Sequence, residues 1–451
     1  MKKLAYTLLL LTLLIAVLGA CGSEPPTLPT PNPNPTNPNP TDPNPPGPNP
    51  PTGPDNPNPN PNPTNPDPTN PTPTPTPTQP DDGTCTNVWN QNVTVPTTLS
   101  DTPKLCDYLL EGFVDISSRL IIEPGVVIRA KQDAIIWVDG GEFLAVGDAQ
   151  NRITFEGLNH IEGYWKGIRF AEARESRIEY VDLKDAGQVC TTIWCTNGAL
   201  ILDDVTVSVT NSTVSNSYVH GLNATGDVLF TKFENNRFYG NAWAGVFVDA
   251  KYIPMLDTAS DYLGEGANNG TPYVLIGSGD LEDGDTRSWK NLNAPYLIGG
   301  YLNIEGGIVV IEPGTTVVFG EEDWLHVEGN GELRAIGTAE ARITFRGKVE
   351  KPGYWDGITF WDSNWEENEL SYVDIKHSGN VSGLLDAYGG VRMKNTSSLK
   401  INNSSFSDND QYGIACDESD AYDTVTLTLG AGNTFSNNTA GDIDPDCEVT
   451  P

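Results

Sequence analysis

The chain has 451 residues, and its 60 acidic residues against 26 Lys and Arg give a formal net charge of −34. Nucleic acid and anionic lipid surfaces repel so acidic a chain, which excludes nucleic acid as a partner. The length suffices for two or three ordinary domains, or for one long repeat body. Proline is concentrated before residue 81, and glycine is spread through the remainder.

The first twenty residues predict a targeting segment rather than a part of the fold. Two lysines precede an apolar run over residues 8–18, which is too short for a membrane span and suits a signal sequence. The run ends in Leu18-Gly19-Ala20-Cys21, which resembles the lipobox of bacterial lipoproteins. The resemblance implies a signal peptide over residues 1–20, cleavage before Cys21 and lipidation of that cysteine. Gly22-Ser23 follows instead of an aspartate, which in Gram-negative lipoproteins implies sorting to the outer membrane.

Residues 21–83 are predicted to form a disordered linker. Pro, Asn and Thr dominate this segment, and no apolar periodicity is present from which a core could form. Each X-Pro step favours extended geometry, so the tether could reach on the order of 190 Å at roughly 3.1 Å per residue. We therefore expect an exported protein, lipid-anchored to the cell envelope, in the outer membrane or at the cell surface.

Six cysteines follow the lipidated one, and an even number in an exported chain predicts disulfides. Their spacings do not resemble a zinc site. Locality predicts three pairs: Cys85 with Cys106, Cys190 with Cys195, and Cys416 with Cys447.

From about residue 84 onwards the sequence predicts short strands. Segments such as 152–155 and 180–184 alternate polar and apolar residues and are separated by Gly, Asn, Asp and Ser turns. A short unit recurs at roughly 20 to 25 residues, which is the period of a coiling β-solenoid. Asparagines recur at equivalent corners, where they can stack and hydrogen-bond from one turn to the next.

A long segment occurs twice, about 190 residues apart. We therefore predict a first module over 84–295 that includes an N-terminal cap, a second module over 296–451, and a junction within 249–295. Residues shared by the two copies are expected to build the scaffold rather than one active site. The clearest matches are Glu123-Pro124-Gly125 with Glu312-Pro313-Gly314, Gly163-Tyr164-Trp165 with Gly353-Tyr354-Trp355, and Tyr180-Val181-Asp182 with Tyr372-Val373-Asp374.

The repeated pattern, over Ile122 to Phe170 and Ile311 to Phe360, resembles the tandem modules of bacterial lipoproteins in the pectate-lyase-like superfamily. The resemblance implies an all-β fold, a right-handed parallel β-helix built from two duplicated modules. It implies little about activity, because this fold carries lyases, hydrolases and adhesins alike.

Polysaccharide lyases of this superfamily use calcium-binding carboxylates together with an Arg or Lys base. The alternative for such charges on a sheet is a set of solvated ion pairs. No complete set recurs in both copies, so we predict no catalytic residue. The nearest candidates are Arg169, Asp182, Lys184, Asp203 and Asp204 in the first copy, and Thr359, Asp374, Lys376 and Arg392 in the second.

Two acidic loops are candidate calcium sites, because calcium prefers closely spaced carboxylate oxygens. In a chain this acidic, chance clustering is the alternative. The candidate ligands are Asp280, Glu282, Asp283 and Asp285 in one loop, and Asp442, Asp444, Asp446 and Glu448 in the other.

Three loop tryptophans are candidate carbohydrate-binding residues, since an indole can stack on a sugar face. Trp194 lies inside the predicted Cys190–Cys195 loop, and Trp361 and Trp365 lie in an insertion that only the second copy has. The alternative is that they pack on the flank of the solenoid.

Together these features favour a non-catalytic lipoprotein with a surface binding, adhesion or structural role. Its expected partners are the membrane, through the lipid, and a polysaccharide or an envelope protein. The alternative is a carbohydrate-active enzyme, a polysaccharide lyase or hydrolase, which would need a cleft that gathers carboxylates and a base from neighbouring turns.

Overall fold

The computed structural model describes residues 85–102, 104–187, 197–264, 266–282, 284–380, 388–417 and 424–450. It is all-β, with 54% strand and 2% helix, and its strands are stacked in parallel. The predicted signal peptide, Cys21, the linker, and Cys190, Cys195, Trp194 and Asp283 lie outside the described residues.

Each turn of the first copy supplies up to three strands, one to each of three faces. Alternate side chains of a strand point inwards and outwards, so each face has a core side and a solvent side. Face A contains β1 (Asn87–Trp89), β3 (Tyr108–Leu110), β6 (Val127–Ala130), β9 (Ile153–Gly157), β12 (Val181–Lys184), β15 (Thr213–Ser215) and β18 (Arg237–Tyr239). Face B contains β4 (Phe113–Ile116), β7 (Ile135–Asp139), β10 (Gly167–Ala171), β13 (Gly198–Leu202), β16 (His220–Ala224) and β19 (Val246–Asp249). Face C contains β2 (Thr97–Leu99), β5 (Arg119–Ile122), β8 (Glu142–Val146), β11 (Ala173–Glu179), β14 (Val205–Thr210) and β17 (Val228–Glu234).

A short 3-10 helix, Ala250–Met255, precedes the strands that resume the coil. Three of these strands are long enough to bend round a corner, and two of them serve two faces while the longest serves three. The strands are β20 (Val274–Leu281), β21 (Thr286–Trp289), β22 (Tyr296–Ile311), β23 (Thr316–Phe319), β24 (Trp324–Ile336), β25 (Ile343–Gly347), β26 (Gly357–Trp361), β27 (Glu369–Ser371), β28 (Val373–Lys376), β29 (Gly389–Lys394), β30 (Ser397–Asn402), β31 (Ser405–Ser407), β32 (Tyr412–Asp417), β33 (Val425–Leu429), β34 (Thr434–Ser436), β35 (Gly441–Ile443) and β36 (Val449–Thr450). No helix within the described ranges is long and apolar enough to cross a membrane.

The turns differ in length. Asn87 pairs with Tyr108, 21 residues later, whereas Ile358 pairs with Val391, 33 residues later. The longer turns carry loops at the corner between faces A and B, at about 158–166 in the first copy and 348–356 in the second. Ladders of inward Val, Ile, Leu and Phe side chains fill the interior through both copies and form one hydrophobic core.

The two copies join with an offset of one face. In the sheet that carries face B of the first copy, Phe247 of β19 pairs with Leu275, which pairs with Leu297, which pairs with Val318 of β23. Strand β23 follows the Glu-Pro-Gly turn of the second copy, as β6 of face A follows that of the first. The sheet of face B therefore continues as face A of the second copy, and equivalent residues of the two copies point towards different sides.

Two of the predicted disulfides are confirmed. Cys85–Cys106 joins the first described turn to the next, with Cα atoms 4.5 Å apart. Cys416–Cys447 does the same for the last two described turns, with Cα atoms 5.1 Å apart. Each bond therefore fastens one end of the described coil to its neighbouring turn.

Candidate functional site: the outer B face of the second copy

The charged residues common to both copies belong to the scaffold. Arg152 binds the Asp182 carboxylate at 2.8 Å, and Arg342 binds that of Asp374 at 2.9 Å, in the same position of each copy. Each arginine also donates to a backbone carbonyl of the next turn. Each carboxylate is therefore paired with an arginine side chain that links two successive turns.

The lyase-like set predicted in the first copy does not form one cluster. Asp182 and Lys184 lie on face A, whereas Arg169 and Asp203 lie on face B. Lys184 lies 4.0 Å from Glu156 on its own face, and the Arg169 guanidinium lies 4.6 Å from the Trp137 ring centroid and 3.5 Å from Asp203. The structure therefore separates the residues that a shared catalytic site would have to bring together.

Outward residues of neighbouring turns do converge on face B of the second copy, here called the B2 face. Its strands are the middle of β22, the start of β24, β26, β29 and β32. Inward residues such as Leu325 and Phe360 are fully buried, so the alternate residues form the outer surface. The outer residues are Tyr301, Asn303, Glu305, Trp324, His326, Glu328, Thr359, Trp361, Arg392, Lys394 and Asp417.

Aromatic rings form a stacked row on the B2 face. The Tyr301 and Trp324 ring centroids are 5.5 Å apart with planes inclined by 18°, and the His326 ring stacks on Trp324 at the same distance. The Trp324 indole Nε1 donates to Asn303 Oδ1 at 3.1 Å, and Asn303 Nδ2 donates to Asp280 Oδ1 at 2.8 Å. These bonds fix the orientation of the indole.

Cations lie next to this row. Arg392 is 4% exposed, and its Nη2 lies 2.7 Å from the Asp417 carboxylate. Lys394 lies 3.7 Å from the same carboxylate, and its Nζ sits 4.7 Å from the centre of the Trp361 ring. Trp361 is thus held by a cation–π contact at the edge of the B2 face. Because Arg392 is paired with Asp417, its guanidinium group is not available to act as a general base.

Burial, and then the positive charge of Arg392, lower the pKa of His326 to about 4, so its imidazole is neutral near pH 7. Its Nδ1 lies 3.0 Å from the Glu328 carboxylate. Burial, and then the charges of Glu305, Asp280 and Asp362, raise the pKa of Glu328. The B2 face therefore combines aromatic surfaces with a neutral imidazole, carboxylates and cations, which is the chemistry that sugar rings and their hydroxyl groups require.

Outward residues of this face differ between the two copies, as do some on the other faces, such as Glu156 and Arg346 on face A. On face A, the outward residues Thr154, Asp182, Lys184 and Ser215 have the same type in the second copy, at Thr344, Asp374, Lys376 and Ser407. On face B the inward residues remain apolar, while several outward ones change in type or charge and others, such as Asp139 and Glu328, do not. The changed pairs are Asp115 and Asn303, Ile135 and Trp324, Trp137 and His326, Arg169 and Thr359, Ala171 and Trp361, Ile201 and Arg392, and Asp203 and Lys394.

Of the candidate sugar-binding tryptophans, the structure brings Trp361 into this cluster, and Trp365 lies in the following loop, 43% exposed. Tyr301, Trp324 and His326 are not among the site residues predicted from the sequence. Trp324 replaces Ile135 of the first copy, whereas Tyr301 and His326 align with the aromatic residues Phe113 and Trp137.

Among the described residues, no three His, Cys, Asp or Glu side chains are placed to hold a metal ion. Asp280 accepts the bond from Asn303, and Asp444 accepts one from the backbone of Asp446. Glu282, Asp285, Asp442, Asp446 and Glu448 are exposed. The calcium sites therefore stay a prediction.

The fold and the ladder of outward residues define the class: an all-β protein built as a parallel β-helix. Comparison with protein-family models, with curated proteins and with solved structures finds no match. Any assignment of a family or a function therefore depends on the residues of this chain.

Proposed function

We propose that this chain is an envelope-anchored, non-catalytic β-helix lipoprotein that binds a polysaccharide on its B2 face. The anchor follows from the lipobox-like segment that ends at Cys21, and the Pro-rich segment would hold the folded part away from the membrane. The high negative charge favours a neutral polysaccharide over an acidic one.

One observation carries the proposal. The Tyr301, Trp324 and His326 rings form a stacked row on the B2 face with Trp361 beside them, and Trp324 and Trp361 replace Ile135 and Ala171 of the first copy. Rigid aromatic surfaces flanked by donors and acceptors suit the apolar face and the hydroxyl rim of a sugar ring. The paired state of Arg392 favours binding over base catalysis.

The test is a glycan array followed by calorimetry on the full chain. Trp324→Ala and Trp361→Ala are each expected to weaken polysaccharide binding by about fivefold, because each removes a stacking surface worth about 1 kcal/mol. Trp243→Ala is the control, since Trp243 belongs to the first copy and is 55% exposed.

Three outcomes would contradict the proposal. The array could show no bound glycan, or the B2 variants could bind as tightly as the control variant. Release of shortened or unsaturated products, assayed with and without calcium, would favour the enzymatic alternative.

A further inference from the structure

A groove lies outside the B2 face, on the sheet where face B of the first copy continues as face A of the second. It encloses about 590 Å³, which is within the range of sites for small molecules. Phe247, Leu275 and Leu297, paired on successive turns, supply its apolar surface. Its polar lining includes Asp249, Ser278, Glu321, Asp323, Lys348 and Tyr354.

Glycines form the floor of this groove. Asp249 pairs with Gly277, and Gly277 with Gly299; Gly320 follows Phe319, the partner of Ile298. The sequence Tyr-Leu-Leu-Glu-Gly-Phe at 108–113 corresponds to Tyr-Leu-Ile-Gly-Gly-Tyr at 296–301.

In the first copy the same column consists of Asn90, Glu111 and Lys131, and the last two form an ion pair. The first copy therefore fills with long polar side chains the space that the second copy leaves open.

None of the three glycines has φ in the left-handed region, but a Cβ at Gly277 or Gly320 would come within 3 Å of the Asp249 or Asp323 carboxylate, so Gly299 is the one with room for a side chain. A Cβ at Gly299 would lie 3.5 Å from the Ile276 carbonyl oxygen, which is an ordinary contact. Glycine inside a strand weakens it by roughly 0.5–1 kcal/mol. A side chain at Gly299 would therefore suit the fold and would only fill the groove.

The charges of the groove select for a cation. Asp249, Glu321 and Asp323 face a single lysine, Lys348. Burial raises the pKa of Asp249 and of Asp323, which means that the environment disfavours their negative charge. A bound positive charge would offset this cost, and the leucines and Phe247 would cover an aliphatic chain.

We propose that this groove binds an aliphatic ammonium compound of the size of a diamine. The methylene chain lies along Leu275 and Leu297, and the ammonium groups face the carboxylates of Asp249, Glu321 and Asp323. The groove and the B2 face lie on neighbouring faces of the same strands and share no residue, so this proposal does not rest on glycan binding.

The test is calorimetric titration of the full chain with 1,5-diaminopentane. We expect saturable binding that weakens as NaCl is raised, since the attraction is electrostatic. Gly299→Leu is expected to reduce the affinity by about tenfold or more because it fills the floor. Asp249→Asn should also reduce it, because one carboxylate is lost.

Gly279→Leu is the matched control. Gly279 lies on the same strand as Gly277, and a Cβ there would meet nothing within 4 Å. This variant should bind as the unmodified chain does, and Gly299→Ala, the milder change, should keep the fold and bind more weakly. The proposal is overturned if the unmodified chain does not bind the diamine, if Gly299→Leu binds it normally while folded, or if 1,5-pentanediol binds equally well.

Discussion

At the scale of single residues, Asp356 is the carboxyl group whose negative charge the surrounding structure disfavours most, among the groups with a resolved pKa shift. It occupies the position of Lys166 in the first copy, next to the shared tryptophan. Its Oδ1 is buried and has no hydrogen-bond partner within the described residues. Burial, and then the charges of Glu322 and Asp323, raise its pKa to about 7. The duplicated scaffold thus tolerates a carboxyl group that carries a proton for part of the time at neutral pH.

This predicts a pH-dependent stability that Asp356→Asn removes. The folded-state pKa lies above the unfolded value of 3.8, so the folded state binds the proton more tightly. The stabilisation is complete below about pH 4 and is lost as pH rises through about 7. Urea unfolding gives the free energy of unfolding of both proteins at pH 5 and pH 8. The difference between Asp356→Asn and the unmodified chain should shift in favour of the variant by roughly 1 kcal/mol or more between pH 5 and pH 8. Asp139→Asn, at an exposed position, is the control; parallel pH profiles for the unmodified chain and Asp356→Asn would refute the prediction.

At the scale of elements, buried asparagines fasten the corners of successive turns. Asn241 Nδ2 donates to Asn269 Oδ1 at 2.9 Å in the first copy, and Asn409 Nδ2 donates to Asn438 Oδ1 at 3.0 Å in the second. The stacking predicted from the sequence is thereby confirmed. Such ladders satisfy backbone groups where the strands end, so they hold the corners in register.

Asn409→Ala is expected to lower the free energy of unfolding by about 2–4 kcal/mol, because it leaves buried partners unsatisfied. Asn409 is fully buried; its Oδ1 accepts from the Ser378 amide at 3.0 Å and hydroxyl at 2.7 Å, and its Nδ2 also donates to the Ile375 carbonyl. Asn159→Ala, which removes only an exposed bond to Tyr164 at a residue whose φ is not left-handed, is the control and should cost less than about 0.5 kcal/mol. If chemical denaturation shows the same loss of unfolding free energy in both variants, burial of the asparagine ladder does not contribute to stability.

The sequence predicted the scaffold better than the surface, and for a physical reason. Trp165 and Trp355 are both fully buried, and each indole donates at 2.8 Å to a lysine carbonyl, that of Lys184 or Lys376. Such residues can be identified by comparing the two copies, because the fold needs them in both. The B2 face could not be assembled in the same way. Its residues come from turns of unequal length, and a shift of one residue would turn each side chain to the other side.

At the scale of the whole described coil, the disulfides act on the ends. In a stacked repeat each turn contacts mainly its neighbours, so a terminal turn has only one neighbour to support it. Cys85–Cys106 and Cys416–Cys447 each cross-link a terminal turn to the adjacent one. The cross-links therefore protect the ends from fraying, while the central turns depend on the shared core.

Replacement of both Cys416 and Cys447 by Ser is expected to destabilise the last turns locally, by about 2–4 kcal/mol. Hydrogen exchange should rise over 425–450 and stay unchanged over the first copy, because stability in such a coil is local. The corresponding double replacement at Cys85 and Cys106 should give the opposite distribution. Uniformly faster exchange in either variant would contradict this account.

The offset of one face at the junction has a consequence for avidity. Were the copies in line, the duplication would present one surface twice, and a long straight polymer could engage both copies at an enhanced effective concentration. Because the sheet of face B continues as face A of the second copy, a polymer lying along that side meets two unlike surfaces. The duplication therefore presents two unlike surfaces along that side instead of one surface twice, so a polymer bound by one copy would gain no avidity from the other.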